Sequence, residues 1–215
     1  MNNGDIVLLS FQGKDLSNEK IFDETKEKPV TIILGHKELL PALEEQILPM
    51  KEGEERIIIL KPEQAFGERK AELVRVIPLQ EFRARNLSPY PGMIVELNEL
   101  IGKVQSISGG RVRVDFNHEL AGKSLEYKIK IEKVLKEKKE QVQALLGKYF
   151  PKAKEPEIEF KEKEVEIKLK GKEALESFQL RPIFSSIVLE HVQGIEKVKF
   201  VDEFEKKEEE KENTQ

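Results

Sequence analysis

Four segments of the chain carry the apolar pattern of β-strands. Residues 5–12 and 125–131 alternate between apolar and polar positions, which is typical of strands with one buried and one solvated face. Residues 30–34 and 57–60 are short, mostly apolar runs that also favour strands. We expect Gly13 to end the first strand. The pattern therefore predicts strands both before and after a long middle segment.

One short helix is expected between the second and third of these strands. Its apolar positions recur at i, i+1, i+4 and i+8, which places them on one stripe of a helix. Pro41 is tolerated there because the first helical turn needs no hydrogen bond from its N–H group. The stripe consists of Leu39, Leu40, Leu43 and Ile47.

The middle segment, residues 69–121, has a texture of its own. Prolines interrupt it, and the pair Gly109 and Gly110 indicates a tight turn between two strands. Several short strands joined by tight turns are typical of a small β-rich module. The predicted strands are residues 93–97, 103–107 and 111–115.

The C-terminal third mixes helices and strands. A charged helix that begins near Lys136 is expected to stop at Gly147. Pro182 is expected to break or kink a later helical stretch. The predicted strands are residues 157–160, 164–169 and 195–204. This order of elements predicts a compact α+β domain.

Composition excludes several classes of function. The 215 residues carry 37 Lys plus Arg against 41 Asp plus Glu, and this near balance argues against a nucleic-acid partner. The chain has no cysteine, which excludes disulfides, thiolate zinc sites and cysteine nucleophiles. No apolar run approaches the roughly 18 residues of a membrane span, and residues 1–5 lack the features of a signal peptide. We therefore expect a cytoplasmic protein without a membrane partner.

Four motifs occur in order along the chain. They are Phe22-Asp23-Glu24-Thr25, the Gly35 turn that leads into Pro41-Ala42-Leu43, the block Pro62-Glu63-Gln64-Ala65-Phe66-Gly67-Glu68, and the segment Asn117-His118-Glu119-Leu120-Ala121-Gly122. In this combination the chain resembles the FKBP family of peptidyl-prolyl cis-trans isomerases. The last motif resembles the SlyD-type branch of that family.

This resemblance implies an α+β fold of three domains. An FKBP-type antiparallel sheet would wrap a short helix within residues 1–68 and 122–138, and an insert-in-flap chaperone domain, residues 69–121, would interrupt it. Residues 139–205 look like the C-terminal α+β domain of long archaeal members. The charged tail, residues 206–215, is predicted to be disordered.

The resemblance also implies the chemistry. Such enzymes rotate Xaa-Pro bonds, whose barrier of about 18–20 kcal/mol comes from amide resonance. Because the twisted imide is less polar than the planar one, an apolar, water-poor pocket lowers the barrier, and neither a cofactor nor a metal is expected. The residues implied as catalytic are Phe11, Phe22, Asp23, Phe66 and Tyr127. Those implied as substrate pocket are Val30, Leu39, Leu40, Leu43 and Leu120.

Two positions depart from the family pattern. Phe66 and Phe11 stand where a tyrosine is usual, so the hydroxyls that would bond to ligand and orient Asp23 are missing. Losing one or two such bonds weakens transition-state binding by about 1–3 kcal/mol if a partner is left unpaired. We therefore expect an active folding helper with a slow rate and reduced macrolide affinity. The alternative is a holdase chaperone with a weakened or inactive isomerase site.

The expected partners are unfolded or partly folded polypeptides that contain proline. The insert would hold them through exposed apolar side chains. The alternative is that the same side chains fill the core of the insert. The candidates are Met93, Ile94, Val95, Leu97, Leu100 and Ile101.

No motif assigns a role to the C-terminal domain. A homodimer interface, a second chaperone surface and a ribosome contact all stay open, and self-association fits slightly better. The three histidines of the chain, His36, His118 and His191, are scattered without metal-ligand spacing. Structural or solvent roles are therefore expected for them.

Overall fold

The computed structural model describes residues 1–153 and 156–204, so the expected disorder of residues 206–215 lies outside the described residues. Within them, strands form three sheets and α-helices pack on the sheets. The strands are β1 Ile6–Asp15, β2 Lys20–Glu24, β3 Val30–Ile33, β4 Glu55–Leu60, β5 Val74–Pro78, β6 Ile94–Leu97, β7 Leu100–Ser108, β8 Arg111–Asp115, β9 Leu125–Leu135, β10 Glu157–Lys161, β11 Glu164–Lys170 and β12 Lys197–Glu203. The helices are α1 Pro41–Ile47, α2 Leu79–Ala84, α3 Lys138–Tyr149, α4 Lys172–Ser177 and α5 Arg181–His191, with short 3₁₀ turns at Pro62–Gln64, Ala71–Leu73 and Phe178–Leu180.

The first sheet is antiparallel and holds five strands: four in the order β2-β1-β9-β4, and β3, which also pairs with β1. Strand β9 pairs along all of β1, so β2 and β3 share the other edge of β1, each pairing with one half of it. Helix α1 packs on one face of this sheet through the buried side chains of Leu43 and Ile47. The expected α+β fold, with an antiparallel sheet wrapped on a short helix, is confirmed.

Strand β1 does not end at Gly13, as the sequence led us to expect. Gly13 is buried inside the strand and pairs with Tyr127 of β9. A Cβ atom placed on Gly13 would come within 2.6 Å of the Phe22 ring. The glycine therefore permits close packing of a ring on the strand instead of terminating it.

Around β1 the first sheet is buried on both faces, because the side chains of this strand alternate. Val7 and Leu9 belong to the hydrophobic cluster that contains α1. Ile6 belongs to a second cluster, which also contains Ile33, Leu135 and the apolar side chains of the C-terminal part. The sheet is therefore a common wall between two cores.

The second sheet, β5-β8-β7-β6, is antiparallel and has its own hydrophobic cluster. Helix α2 covers one face, where Phe82 is fully buried. Gly109 and Gly110 have φ angles of 54° and 72° and form the expected tight turn between β7 and β8. The sequence did not indicate β5 or α2, because a helix of six residues is too short to carry a recognisable apolar stripe.

The third sheet, β10-β11-β12, contains one parallel pair. Strand β12 runs parallel to β11 because α4 and α5 form the crossover between them. Helix α3 continues through Gly147, where it was expected to stop, and ends at Tyr149. Pro182 is the second residue of α5, where its missing N–H group costs no helical bond. The helical stretch is therefore broken into α4 and α5, as expected, and Pro182 lies in the first turn of the second helix.

Helices are short throughout the described residues. The two longest, α3 and α5, have 12 and 11 residues. A membrane-spanning helix needs about 20. Accordingly, no helix within residues 1–153 and 156–204 is long and apolar enough to cross a membrane.

Candidate active site

A cavity of about 1650 Å³ opens between α1, the first sheet and α3. Its lining is mostly apolar. Residues that precede the second sheet in the sequence and residues that follow it both contribute to this lining. Eight of the ten side chains that the sequence predicts for the site line this cavity. They are Phe11, Asp23, Val30, Leu39, Leu40, Leu43, Phe66 and Tyr127.

The two remaining predicted residues lie beside the cavity. The Phe22 ring packs over Gly13 and meets Tyr127 edge to face, with ring centroids 5.7 Å apart. Leu120 is buried in the cluster that contains α1. Phe22 therefore supports the lining through Tyr127, and Leu120 belongs to the core that α1 covers.

The lining contains a hydrogen-bond donor, the Tyr127 hydroxyl, and an acceptor, the Asp23 carboxylate. Burial, with the negative charge of Asp23 as a smaller cause, raises the pKa of Tyr127 to about 12. The hydroxyl therefore stays protonated at neutral pH and can donate a hydrogen bond. Asp23 is exposed and lies opposite Gly13 in the register of β1 and β2.

Phe11 is held by a backbone clamp. Its N–H group donates to Thr25 Oγ1 at 2.9 Å, and the Thr25 N–H group donates to the Phe11 carbonyl at 2.9 Å. The ring points into the cavity, but it carries no hydroxyl that could bond to Asp23. The side chain of residue 11 therefore offers Asp23 no hydrogen bond.

Charged residues other than Asp23 also line the cavity, although the sequence led us to expect Asp23 alone. These residues are Lys28, Lys37, Glu38 and Lys148. The Lys148 ammonium lies 2.5 Å from the Glu38 carboxylate and donates a hydrogen bond of 3.0 Å to the Thr31 carbonyl. This pair joins α3 to the chain around β3.

Sequence reasoning missed part of the lining. Leu9, Ile32 and Ile129 line the cavity. Ile32 and Ile129 follow Val30 and Tyr127 by two residues, so the alternation of their strands could have indicated them. The far side is formed by α3 and the chain after it, for which the sequence offered no motif.

The histidines are not scattered in space. The rings of His36, in the turn after β3, and His191, at the end of α5, meet edge to face with centroids 4.7 Å apart. His118 stacks on Phe66, with centroids 4.1 Å apart and planes 2° from parallel. All three side chains therefore make ring contacts that the sequence did not indicate.

Two family models match the chain. One, described as FKBP-type peptidyl-prolyl cis-trans isomerase, matches residues 1–81. The other, described as FKBP26, IF domain, matches residues 75–120. The two matches overlap at residues 75–81.

Several curated relatives are named as peptidyl-prolyl cis-trans isomerases. A short-type peptidyl-prolyl cis-trans isomerase of Methanocaldococcus jannaschii is 31% identical over 131 residues, which cover 61% of this chain and 83% of that protein. A probable FKBP-type 16 kDa peptidyl-prolyl cis-trans isomerase of Pseudomonas fluorescens is 36% identical over 54% of this chain and 80% of its own length. The isomerase SlyD of Helicobacter pylori is 28% identical over 58% of this chain and 70% of its own length. The chain therefore belongs to the FKBP-type peptidyl-prolyl cis-trans isomerases, enzymes whose substrates are polypeptides that contain proline.

Proposed function

We propose that the cavity under α1 is where the Xaa-Pro bond is twisted and that the second sheet holds unfolded chains beside it. The supporting observation is the convergence of Phe11, Asp23, Phe66 and Tyr127 with four aliphatic side chains on one apolar cavity. The resemblance assigns those residues to the site, and they come from four separate parts of the sequence.

The proposed mechanism needs no covalent step. Twisting the imide removes the resonance that places negative charge on the carbonyl oxygen, so the transition state is less polar than the ground state. A lining of rings and aliphatic side chains replaces water around the bond and favours the less polar state. Leu43 and Val30 would hold the proline ring, and Phe22 would support them through Tyr127.

Asp23 and Tyr127 would act on the substrate carbonyl and backbone. The carboxylate of Asp23 lines the cavity from an exposed position on β2. The protonated Tyr127 hydroxyl offers a donor. These two groups would compensate in part for the hydroxyls that Phe11 and Phe66 lack.

The second sheet supports the proposed chaperone role through the face that α2 leaves open. Ile94 and Ile101 are exposed by 62% and 68% and are diagonal neighbours on β6 and β7. Val95 and Leu97, also candidates for client binding, are buried in the core of this sheet instead. Two adjacent exposed isoleucines form an apolar surface suited to unfolded chains.

The domain limits remain proposals that the three sheets support. The isomerase domain would comprise residues 1–68 and 122–138, with the insert at 69–121 between them. The two connections meet where the Gly122 N–H group donates to the Gly67 carbonyl at 2.8 Å. The C-terminal domain, residues 139–205, would share a core with the isomerase sheet through the cluster that contains Ile6.

Self-association through the C-terminal domain also remains a proposal. Apolar side chains with substantial exposure lie close together in the chain around α4 and the start of α5. They are Leu175, Phe178, Leu180 and Ile183. Light scattering of the full chain tests it: a dimer that Phe178→Asp turns into a monomer supports this surface, and a monomeric parent rules it out.

One pair of measurements separates the enzyme from a holdase with a dead site. In refolding limited by proline isomerisation, Asp23→Ala should lose most of the acceleration that the parent gives. In suppression of aggregation, the same variant should equal the parent. Acceleration that survives in Asp23→Ala would contradict the assignment of the site, and a parent without acceleration would favour the holdase.

A further inference from the structure

We propose that the C-terminal domain forms one wall of the substrate groove and binds the polypeptide segment that flanks the proline. This inference rests on the proposed function of the cavity. The cavity, at about 1650 Å³, exceeds the roughly 300–1,000 Å³ that is usual for a small-molecule site. A single proline ring fills only part of it, so the remainder is available to neighbouring residues of the same chain.

The wall is fixed to the isomerase domain by both polar and apolar contacts. Lys148 bonds to the Glu38 carboxylate and to the Thr31 carbonyl. Behind these contacts, Val142 and Leu145 of α3 are fully buried in the cluster that also contains Ile6. A wall held in this way is already in position before a substrate arrives, which limits the ordering cost of binding.

The chemistry of the wall defines its occupant. Ala144, Phe150, Pro151 and Ile158 contribute apolar surface opposite the aliphatic side chains near α1. Lys148 donates a hydrogen bond to the Thr31 carbonyl. That carbonyl is therefore not free to pair with a substrate backbone, so the substrate cannot bind as an additional strand beside β3. The occupant is therefore an extended, apolar segment of an unfolded polypeptide, bound through its side chains and continuous with the proline in the pocket.

Gly147 offers a direct test. It lines the cavity from within α3, and a Cβ atom built on it meets no atom within 4 Å. Gly147→Trp should therefore fill the groove without disturbing the helix. Gly147→Ala is the control for the loss of the glycine without the addition of a large side chain. Lys139→Trp adds the same ring on an exposed position of α3 outside the cavity.

The assay compares a short proline peptide, which fills only the pocket, with a longer peptide that carries apolar residues and reaches α3. Gly147→Trp should lower kcat/KM for the long peptide about tenfold, the equivalent of about 1.4 kcal/mol, and leave the short peptide unchanged. The two controls should match the parent on both. Equal activity of Gly147→Trp and the parent on the long peptide, or an equal loss on both peptides, would overturn the flanking site. A parent inactive on both peptides would instead contradict the proposed function.

A separate observation points to a metal site: we infer that His36, Glu190 and His191 bind a divalent transition metal where the C-terminal domain meets the isomerase domain. One ligand atom from each residue lies within 4.8 Å of the other two. His191 Nε2 is 3.8 Å from the Glu190 carboxylate. Two imidazoles and a carboxylate form a donor set suited to ions such as Zn²⁺.

His191 carries the independent indication of a ligand. Its side chain is only 10% exposed, and its Nε2 atom is buried without a hydrogen-bond partner among the described residues. An imidazole nitrogen that is buried and makes no hydrogen bond is available to coordinate a metal.

The position of the three residues gives the metal a structural consequence. His36 belongs to the turn after β3, and Glu190 and His191 end α5. An ion shared by them would connect the isomerase sheet to the C-terminal domain. It would therefore stabilise the wall of the groove formed by α3, without taking part in the isomerisation.

Calorimetric titration of the metal-free full chain with Zn²⁺ tests this site. The parent should bind one ion, and Zn²⁺ should raise its unfolding temperature. His36→Ala, at an exposed side chain, should weaken binding by at least about tenfold and abolish the rise in temperature, whereas His118→Ala should retain both. No binding by the parent, or equal binding by His36→Ala and the parent, would overturn the site.

Discussion

Phe66 and His118 stack face to face, with ring centroids 4.1 Å apart and planes 2° from parallel. Phe66 lines the cavity from the connection that leads into the second sheet, and His118 lies on the connection that returns from it. His118 Nδ1 accepts a hydrogen bond from the Leu120 N–H group at 3.1 Å, which fixes the ring. The stack therefore joins both connections at the rim of the cavity and holds the second sheet in a defined position.

Removal of this stack should separate catalysis on peptides from catalysis on proteins. An aromatic pair contributes about 0.5–1.5 kcal/mol beyond the area that it buries, so His118→Ala should loosen the second sheet without unfolding the chain. We expect acceleration of proline-limited refolding to fall severalfold while kcat/KM on a short peptide stays near the parent value. Glu119→Ala, at an exposed neighbour, is the control. Equal losses in both assays would show that the stack shapes the pocket instead of positioning the insert.

A hydroxyl added to Phe66 should strengthen ligand binding. Phe66→Tyr keeps the ring and its stack and places a donor in the cavity. One net hydrogen bond of about 0.5–1.5 kcal/mol corresponds to a gain of roughly two- to tenfold in affinity. Titration with a macrolide ligand measures the gain, and Phe160→Tyr, outside the cavity, is the control. Unchanged affinity would mean that the residue 66 ring does not face the bound ligand.

A charge on the open face of the second sheet should weaken chaperone activity selectively. Ile94→Lys or Ile101→Lys should reduce suppression of aggregation, because unfolded chains bind exposed apolar surface. Activity on a short peptide should stay unchanged, since neither residue lines the cavity. Ile57→Lys is a matched control, because Ile57 is exposed by 60% on β4 of the first sheet. Full suppression of aggregation by both lysine variants would assign client binding to another surface.

Asp15 should make stability depend on pH below about 4. Burial acts to raise its pKa, but the Lys123 ammonium and hydrogen bonds from Ser17 outweigh burial and lower the pKa from 3.8 to about 2. The Lys123 ammonium lies 2.7 Å from the carboxylate. Because the folded pKa is depressed, the stabilisation is fully present above the unfolded value and is lost as pH falls through the folded value.

Asp15→Asn should therefore lower the free energy of unfolding by on the order of 2 kcal/mol near neutral pH. The difference from the parent should close as the pH falls from about 4 to about 2. Denaturant unfolding across this range measures it, with the exposed Glu63→Gln as the control. A difference that is constant with pH would show that the loss comes from packing and not from the ionised carboxylate.

Sequence pattern and motifs were sufficient for the first sheet and indicated eight of the side chains that line the cavity. The alternation in β9 and the stripe of α1 indicate buried faces directly, because each period matches its element. The prediction that β1 ends at Gly13 was wrong, because a glycine that ends a strand cannot be distinguished in sequence from a glycine that leaves room for an aromatic ring. The contact between Gly13 and the Phe22 ring distinguishes the two cases, and this contact forms only when β1 pairs with β2.

The remainder of the site depends on packing between distant segments. Nothing in the residues of α3 indicates that Gly147 and Lys148 face the same cavity as Leu39, because this requires the sheet to be buried on both faces. His36 and His191 likewise meet only after the C-terminal domain packs on the first sheet. Such relationships arise from tertiary structure, and local patterns do not carry them.

The most direct test of the site is kcat/KM for isomerisation of a short proline peptide by the full chain and by two adjacent variants. Asp23 lines the cavity, whereas its neighbour Glu24 is exposed outside it and bonds to Gln12. Loss of a charged interaction worth about 1.5–3 kcal/mol predicts that Asp23→Ala falls at least about tenfold while Glu24→Ala keeps the parent value. Equal activity of Asp23→Ala and Glu24→Ala would contradict the assignment of this cavity as the catalytic site.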